Sequence, residues 1–160
     1  MRLLIAFLLF VFSSTLFGQE LPPIKNYTPK EYNGEFQNWG ITQSPSKNIY
    51  VANHTSLLEF DGSKWHQYKL PTSPVIRSVK AIGDKIYTGS YREFGYWTKN
   101  PNGELTYTSL SQKMETSITE DEEFWEIVTL DQWVLFQSLD RIYIYDKIED
   151  SFKIIEAKSD

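Results

Sequence analysis

The chain has 160 residues, 41% of them hydrophobic and 16% aromatic, which is enough for a packed core in a single domain. It contains no cysteine, which excludes disulfide staples, thiolate metal sites and lipid attachment through an N-terminal cysteine. A net charge of −5 argues against a grip on a nucleic acid backbone, which rewards clustered Lys and Arg.

The first element is "MRLLIAFLLFVFSSTLFGQE": Arg2, an unbroken apolar run Leu3–Phe12, then Ser13, Ser14 and Thr15. A bilayer-spanning helix needs roughly 20 apolar residues, and this run is too short for one. A positive start, a short apolar stretch and small residues before a polar continuation describe a secretory signal peptide over residues 1–18, cut near Gly18–Gln19. Leu16 is larger than the residue usual before such a cut. The expectation is export, to the periplasm or outside the cell, with no transmembrane helix in the segment. Residues 19–35 read as a linker.

Twelve short strands follow, rich in β-branched and aromatic residues. The first four are Trp39–Gln43, Asn48–Asn53, Ser56–Asp61 and Lys64–Lys69. The next are Ile76–Ala81, Lys85–Ser90, Glu93–Thr98 and Leu105–Ser109, and the last are Phe124–Leu130, Trp133–Gln137, Arg141–Asp146 and Ser151–Ile155. Turn chemistry separates them, notably Asp61-Gly62 and Asn102-Gly103, pairs that tolerate positive φ in tight hairpins. No window has a convincing helical period, although Leu110–Glu123 has room for a short turn.

The three groups are copies of one unit. "NIYVANHTSLLEFD" (48–61) lies over "KIYTGSYREFGYWT" (85–98) without a gap, so that Ile49 meets Ile86, Tyr50 meets Tyr87, Leu57 meets Phe94 and Phe60 meets Trp97. In "WVLFQSLDRIYIYD" (133–146), Val134, Ile142 and Tyr145 fall on Ile86, Phe94 and Trp97. Upstream, Trp39, Ile76 and Phe124 are expected to coincide. Four antiparallel strands in repeats of about 40 residues are the signature of a β-propeller. A β-sandwich or meander with accidental self-similarity is the alternative, and the gapless matches favour the repeat.

The expected fold is therefore all-β: a partial β-propeller over residues 36–160, with blades at about 36–70, 74–110 and 122–157. Propellers typically close rings of 4–8 blades, so three leave both outer faces open. On this reading the 160 residues are the N-terminal part of a longer protein, or a truncated gene product.

With the strands of a blade lettered A to D, the B–C turns and D-to-A connections lie at one end. That end gathers His54-Thr55, Tyr91-Arg92-Glu93 and Leu139-Asp140, and loops on a rigid scaffold are where recognition usually resides. The candidate ligand contacts are Tyr91, Arg92, Glu93 and His54. Arg92 suits a carboxylate or phosphate and Tyr91 a sugar or ring. The structural reading has Arg92 paired with Glu93 or a neighbouring blade, and Tyr91 capping the core. Gly89 and Gly95 read as positions of bending and close packing.

No catalytic residue, metal site or cofactor is expected. Glu120-Asp121-Glu122-Glu123 lacks the alternation and glycine of a calcium loop and reads as solvated, and His54 and His66 lack the spacing of a zinc pair. Two Asn-x-Thr sequons begin at Asn26 and Asn53.

The stretches "IYVANHTSLLEFDGSKWHQY" (49–68) and "IYTGSYREFGYW" (86–97) resemble the first blades of the propeller sensors in bacterial two-component-type regulators, where strands close on F-D-G-x-x-W. "LEFDGSKW" (58–65) matches that wording and "EFGYW" (93–97) a second-blade variant; Gln137-Ser138-Leu139-Asp140 departs by lacking the glycine. The resemblance implies a periplasmic input domain followed by further blades, a triple-tyrosine module, a membrane helix and an output, either a histidine kinase or a helix-turn-helix transcription factor. It implies a small-molecule or glycan ligand and no direct nucleic acid contact by this segment. The competing expectation is a secreted polysaccharide-binding or hydrolytic propeller without an output domain.

Overall fold

The computed structural model describes residues 22–71, 75–114, 116, 118–119 and 121–156; the signal sequence expected over 1–18 lies outside them. Twelve strands form three four-stranded antiparallel sheets, each in simple up-and-down order. The first sheet is β1 (Asn38–Gln43), β2 (Ile49–Asn53), β3 (Leu57–Phe60) and β4 (Trp65–Tyr68). The second is β5 (Ile76–Ile82), β6 (Lys85–Ser90), β7 (Phe94–Lys99) and β8 (Leu105–Ser109). The third is β9 (Glu126–Leu130), β10 (Trp133–Gln137), β11 (Arg141–Asp146) and β12 (Ser151–Glu156). All twelve lie within two residues of their expected positions.

The sheets stack as blades. The A strands β1, β5 and β9 meet in sequence along one line, β1 against β5 and β5 against β9. Because successive side chains point to opposite faces, each blade has a preceding face and a following face, and both are apolar. Tyr50, Ala52 and Leu57 of the first blade pack on Ile76, Val79, Ile86, Trp97 and Leu105 of the second. Tyr87 and Phe94 of the second pack on Phe124, Ile127, Val134, Phe136, Tyr143 and Tyr145 of the third. Phe94 is the hub of that second interface, with ring centroids of Phe136, Phe124 and Tyr143 at 4.4, 4.7 and 5.6 Å.

Polar ties cross the same seams. Lys99 Nζ reaches from the second blade to Glu59 of the first at 2.7 Å. Desolvation pushes the buried Glu59 carboxyl up, but hydrogen bonds from Lys99, Asn48 and Tyr50 outweigh it and hold the pKa below its ordinary value. Between the second and third blades, Ser78 Oγ donates to the Phe124 carbonyl at 2.9 Å. Gly89 makes that approach possible: a Cβ there would stand 2.7 Å from Phe124 Cβ.

Two features differ from the sequence reading. The linker contains a short helix, α1 (Pro29–Tyr32), whose Glu31 carboxylate accepts from the Thr28 backbone N–H at 2.7 Å and from its hydroxyl at 2.8 Å. Nor is the preceding face of the first blade simply open. Tyr27 and Tyr32 lie over Trp65 at 5.4 and 5.7 Å, Tyr27 meets Phe60 at 5.2 Å, and together they cover Val51 and Leu58. The short turn expected within Leu110–Glu123 is a 3-10 turn at Ser111–Lys113. Among the described residues, no helix is long and apolar enough to cross a membrane.

Pairing also moves one strand by a residue. Asn38 pairs Asn53 and Gly40 pairs Ala52, leaving Trp39 extra; Ile76 pairs Ser90 and Ser78 pairs Gly89, leaving Arg77 extra. Trp39 is therefore the counterpart of Arg77 rather than of Ile76, and Ile41 the counterpart of Val79. Val79 is buried against the first blade, whereas Ile41, with no blade before it, is 70% exposed. Phe94→Ala is expected to cost about 3–5 kcal/mol in chemical denaturation. Ile41→Ala should stay within about 0.5 kcal/mol of the parent, and a large loss there would contradict the assignment of faces.

Candidate functional site

The B–C turns and the connection into the third blade do meet at one end. The backbone of Tyr91 bridges that of Glu123, and the Arg92 N–H donates to the Glu122 carbonyl at 2.8 Å. Tyr91 is exposed at this surface, with its hydroxyl donating to Asp121 Oδ1 at 3.3 Å. Arg92 turns the chain in the left-handed region, with φ 53°. Its side chain is exposed and joins none of the ion pairs among the described residues.

Glu93 goes the other way. It is buried, and its Oε1 accepts from Tyr107 at 2.9 Å and from Ser109 and Ser111 at 2.8 Å each. The expected Arg92–Glu93 pair does not form, because β8 brings these three hydroxyls to the carboxylate first. Burial, followed by the Glu93 charge, pushes the Tyr107 hydroxyl well above its ordinary pKa.

His54 stands apart from these three. It is half-buried on the first blade, its N–H donating to the Gln37 carbonyl at 3.1 Å and its ring 6.4 Å from Trp39. Trp39 leads to the feature that the sequence reading missed. The extra residues Trp39 and Arg77, together with Trp125 just before β9, come from the same place on three successive blades and converge. The Arg77 guanidinium sits 4.1 Å from the Trp39 ring and 4.9 Å from the Trp125 ring, with Glu123 at 3.0 Å. A planar cation between two indoles favours this stack electrostatically, and Glu123 fixes its orientation.

Beside the stack lies a cavity of about 280 Å³ lined by Tyr91, Asp121, Glu123, Trp125, Leu139 and Asp140. Two aromatic faces and several carboxylate acceptors suit a small polar ligand that presents hydrogen-bond donors. The acidic run is not the solvated loop expected from sequence. Glu122 is buried and accepts from Tyr143 at 2.5 Å, Ser138 at 2.7 Å and Thr119 at 3.1 Å, while Arg141 lies 3.4 Å away. Among the described residues, no group of three or more candidate ligands is placed to hold a metal ion. Asn53, the start of the second sequon, is fully buried and hydrogen-bonded, so it is closed to modification in this fold.

No protein-family model and no curated protein matches this sequence. Among solved structures, the chain is similar to the extracellular domain of a proposed one-component system, BT4673, from B. thetaiotaomicron. The TM-score is 0.58 at 15% identity, covering 74% of this chain and 16% of the other. A second structure, described as the extracellular domain of a proposed hybrid two-component system, also BT4673, gives 0.57 at 15% identity over 74% and 15%. This chain thus spans about a sixth of the length of the chains it matches. The likeness supports the propeller-blade fold, and the sequence resemblance points to the same kind of sensor domain.

Arg92→Ala is expected to leave the melting temperature unchanged, while Glu93→Ala lowers it, because only the second strands three buried hydroxyls. Thermal unfolding of the two variants separates these roles. Desolvation raises the Glu122 pKa, but its hydrogen bonds from Tyr143, Ser138 and Thr119 win and hold it below 4.5. A carboxylate depressed in the folded state contributes stability that is complete above the unfolded value of 4.5 and is lost as pH falls through the folded value. Stability should accordingly fall below pH 4.5, and Glu122→Gln should make that acid limb shallower.

Proposed function

We propose that this chain is the N-terminal portion of an exported, ligand-sensing β-propeller that serves as the input domain of a bacterial signal-transduction or transcription regulator. The observation that carries the reading is the blade stack and its likeness to the extracellular domains of BT4673, described as a one-component or hybrid two-component system. The N-terminal sequence supports export. The contact end supports ligand recognition, since Tyr91 and Arg92 remain exposed at the cavity beside Trp125 while Glu93 and Glu122 hold the turns in place. Glycans and other small polar molecules fit its aromatic and acidic lining.

The remaining partners in this reading are further blades and an output domain on the same chain. A ligand at the contact end would bias the relative setting of the blades, and that bias would pass to the output. The activity proposed for this segment is binding, with no catalytic step.

Extending the reading frame past Asp160 tests the proposal. The expected result is more blades, then an apolar span of about 20 residues, then a histidine kinase or helix-turn-helix output. A frame that ends after a complete ring with no apolar span would replace this reading with that of a secreted propeller.

A further inference from the structure

We infer that residues 22–37 form a strap that guards the ring-closing face of the first blade against a second copy of this chain. The repeat itself identifies the face. Ile86 and Trp97 on the second blade bury against the first, and their counterparts Val134 and Tyr145 on the third bury against the second. The matching residues of the first blade, Ile49 and Phe60, have no earlier blade to meet, and they lie against the strap instead, Phe60 5.2 Å from Tyr27.

The strap is held by specific bonds as well as by apolar packing. Asn53, fully buried, accepts from the Glu35 N–H at 3.1 Å and donates to the Glu35 carbonyl at 2.7 Å and the Gln37 carbonyl at 3.2 Å. The cover stops short of the axis, where Ile41 stays open. Strap and face thus divide one blade-sized surface, the outer half closed and the inner half bare.

The complementary surface is on the third blade. Its following face, the counterpart of the Tyr50 and Tyr87 sides that are buried in the first two blades, exposes Val128, Leu130 and Trp133. These border a groove of about 450 Å³ that also includes Leu135, Ile144 and Phe152. The first blade of a second copy would present to this groove the same kind of face that the second and third blades already present to their predecessors. Such a contact is head-to-tail, and its closure would join two sets of three blades into a ring of six, within the usual size of propellers. The strap stands in the way of that contact.

The experiment uses the full chain with a protease site inserted between Phe36 and Gln37 and with Tyr27→Ala and Tyr32→Ala, so that folding is completed before the strap is cut. The freed strap is removed by gel filtration in mild urea, and molar mass is then measured by sedimentation at several concentrations. The expected result is at least a twofold rise in mass over the uncut protein, abolished by Leu135→Asp and reversed by a synthetic peptide of residues 22–37. An unchanged mass after strap removal would overturn the inference, and so would a rise that persists with Leu135→Asp.

Discussion

Every sheet in this protein is apolar on both sides. A four-stranded blade with Tyr50 and Leu57 on one face and Ile49, Phe60 and Val51 on the other cannot face water alone, so each blade must lie between neighbours. The rest of the architecture follows from that requirement. The second blade meets it twice, and Phe94 and Trp97 are buried on its opposite faces. The first blade meets it with a blade on one side and the strap on the other. The third has a neighbour on one side only, and its remaining face is the most exposed apolar sheet surface among the described residues.

The same stacking builds the contact end. Because the A strands meet along one line, the extra residue in each blade is carried to the same place, and Trp39, Arg77 and Trp125 close on one another there. Neither indole nor guanidinium would be ordered by its own hairpin. The turns around them are braced from beneath by buried carboxylates, Glu93 under the second blade and Glu122 under the third, each saturated with hydroxyl donors. Rigid support beneath and exposed Tyr91, Arg92 and Asp121 above is the arrangement that recognition by loops requires.

Much of the fold was legible in the sequence, because strand alternation and turn pairs such as Asp61-Gly62 are local signals and the repeat multiplies each of them by three. The α1 turn escaped because four residues show no period, although Thr28-Pro29-Lys30-Glu31 carried a capping signal. The contact end was legible in outline only. Position in a turn suggested exposure for Glu93, yet its burial is decided by Tyr107, Ser109 and Ser111, which reach it from another strand and a following turn. The Trp–Arg–Trp stack was hidden by the one-residue shift in β1, which set Trp39 against Ile76 in a gapless alignment when its partner in space is Arg77.

Amide hydrogen exchange resolved by strand tests most directly whether the sheets depend on one another for cover. The strands to compare are β6 and β7 with β10 and β11, all of which are paired on both edges within their own sheets. Slower exchange in β6 and β7, whose blade is shielded on both faces, is the result that mutual cover predicts. Equal or slower exchange in β10 and β11 would mean that each sheet owes its stability to itself, and the stacked-blade account would fail.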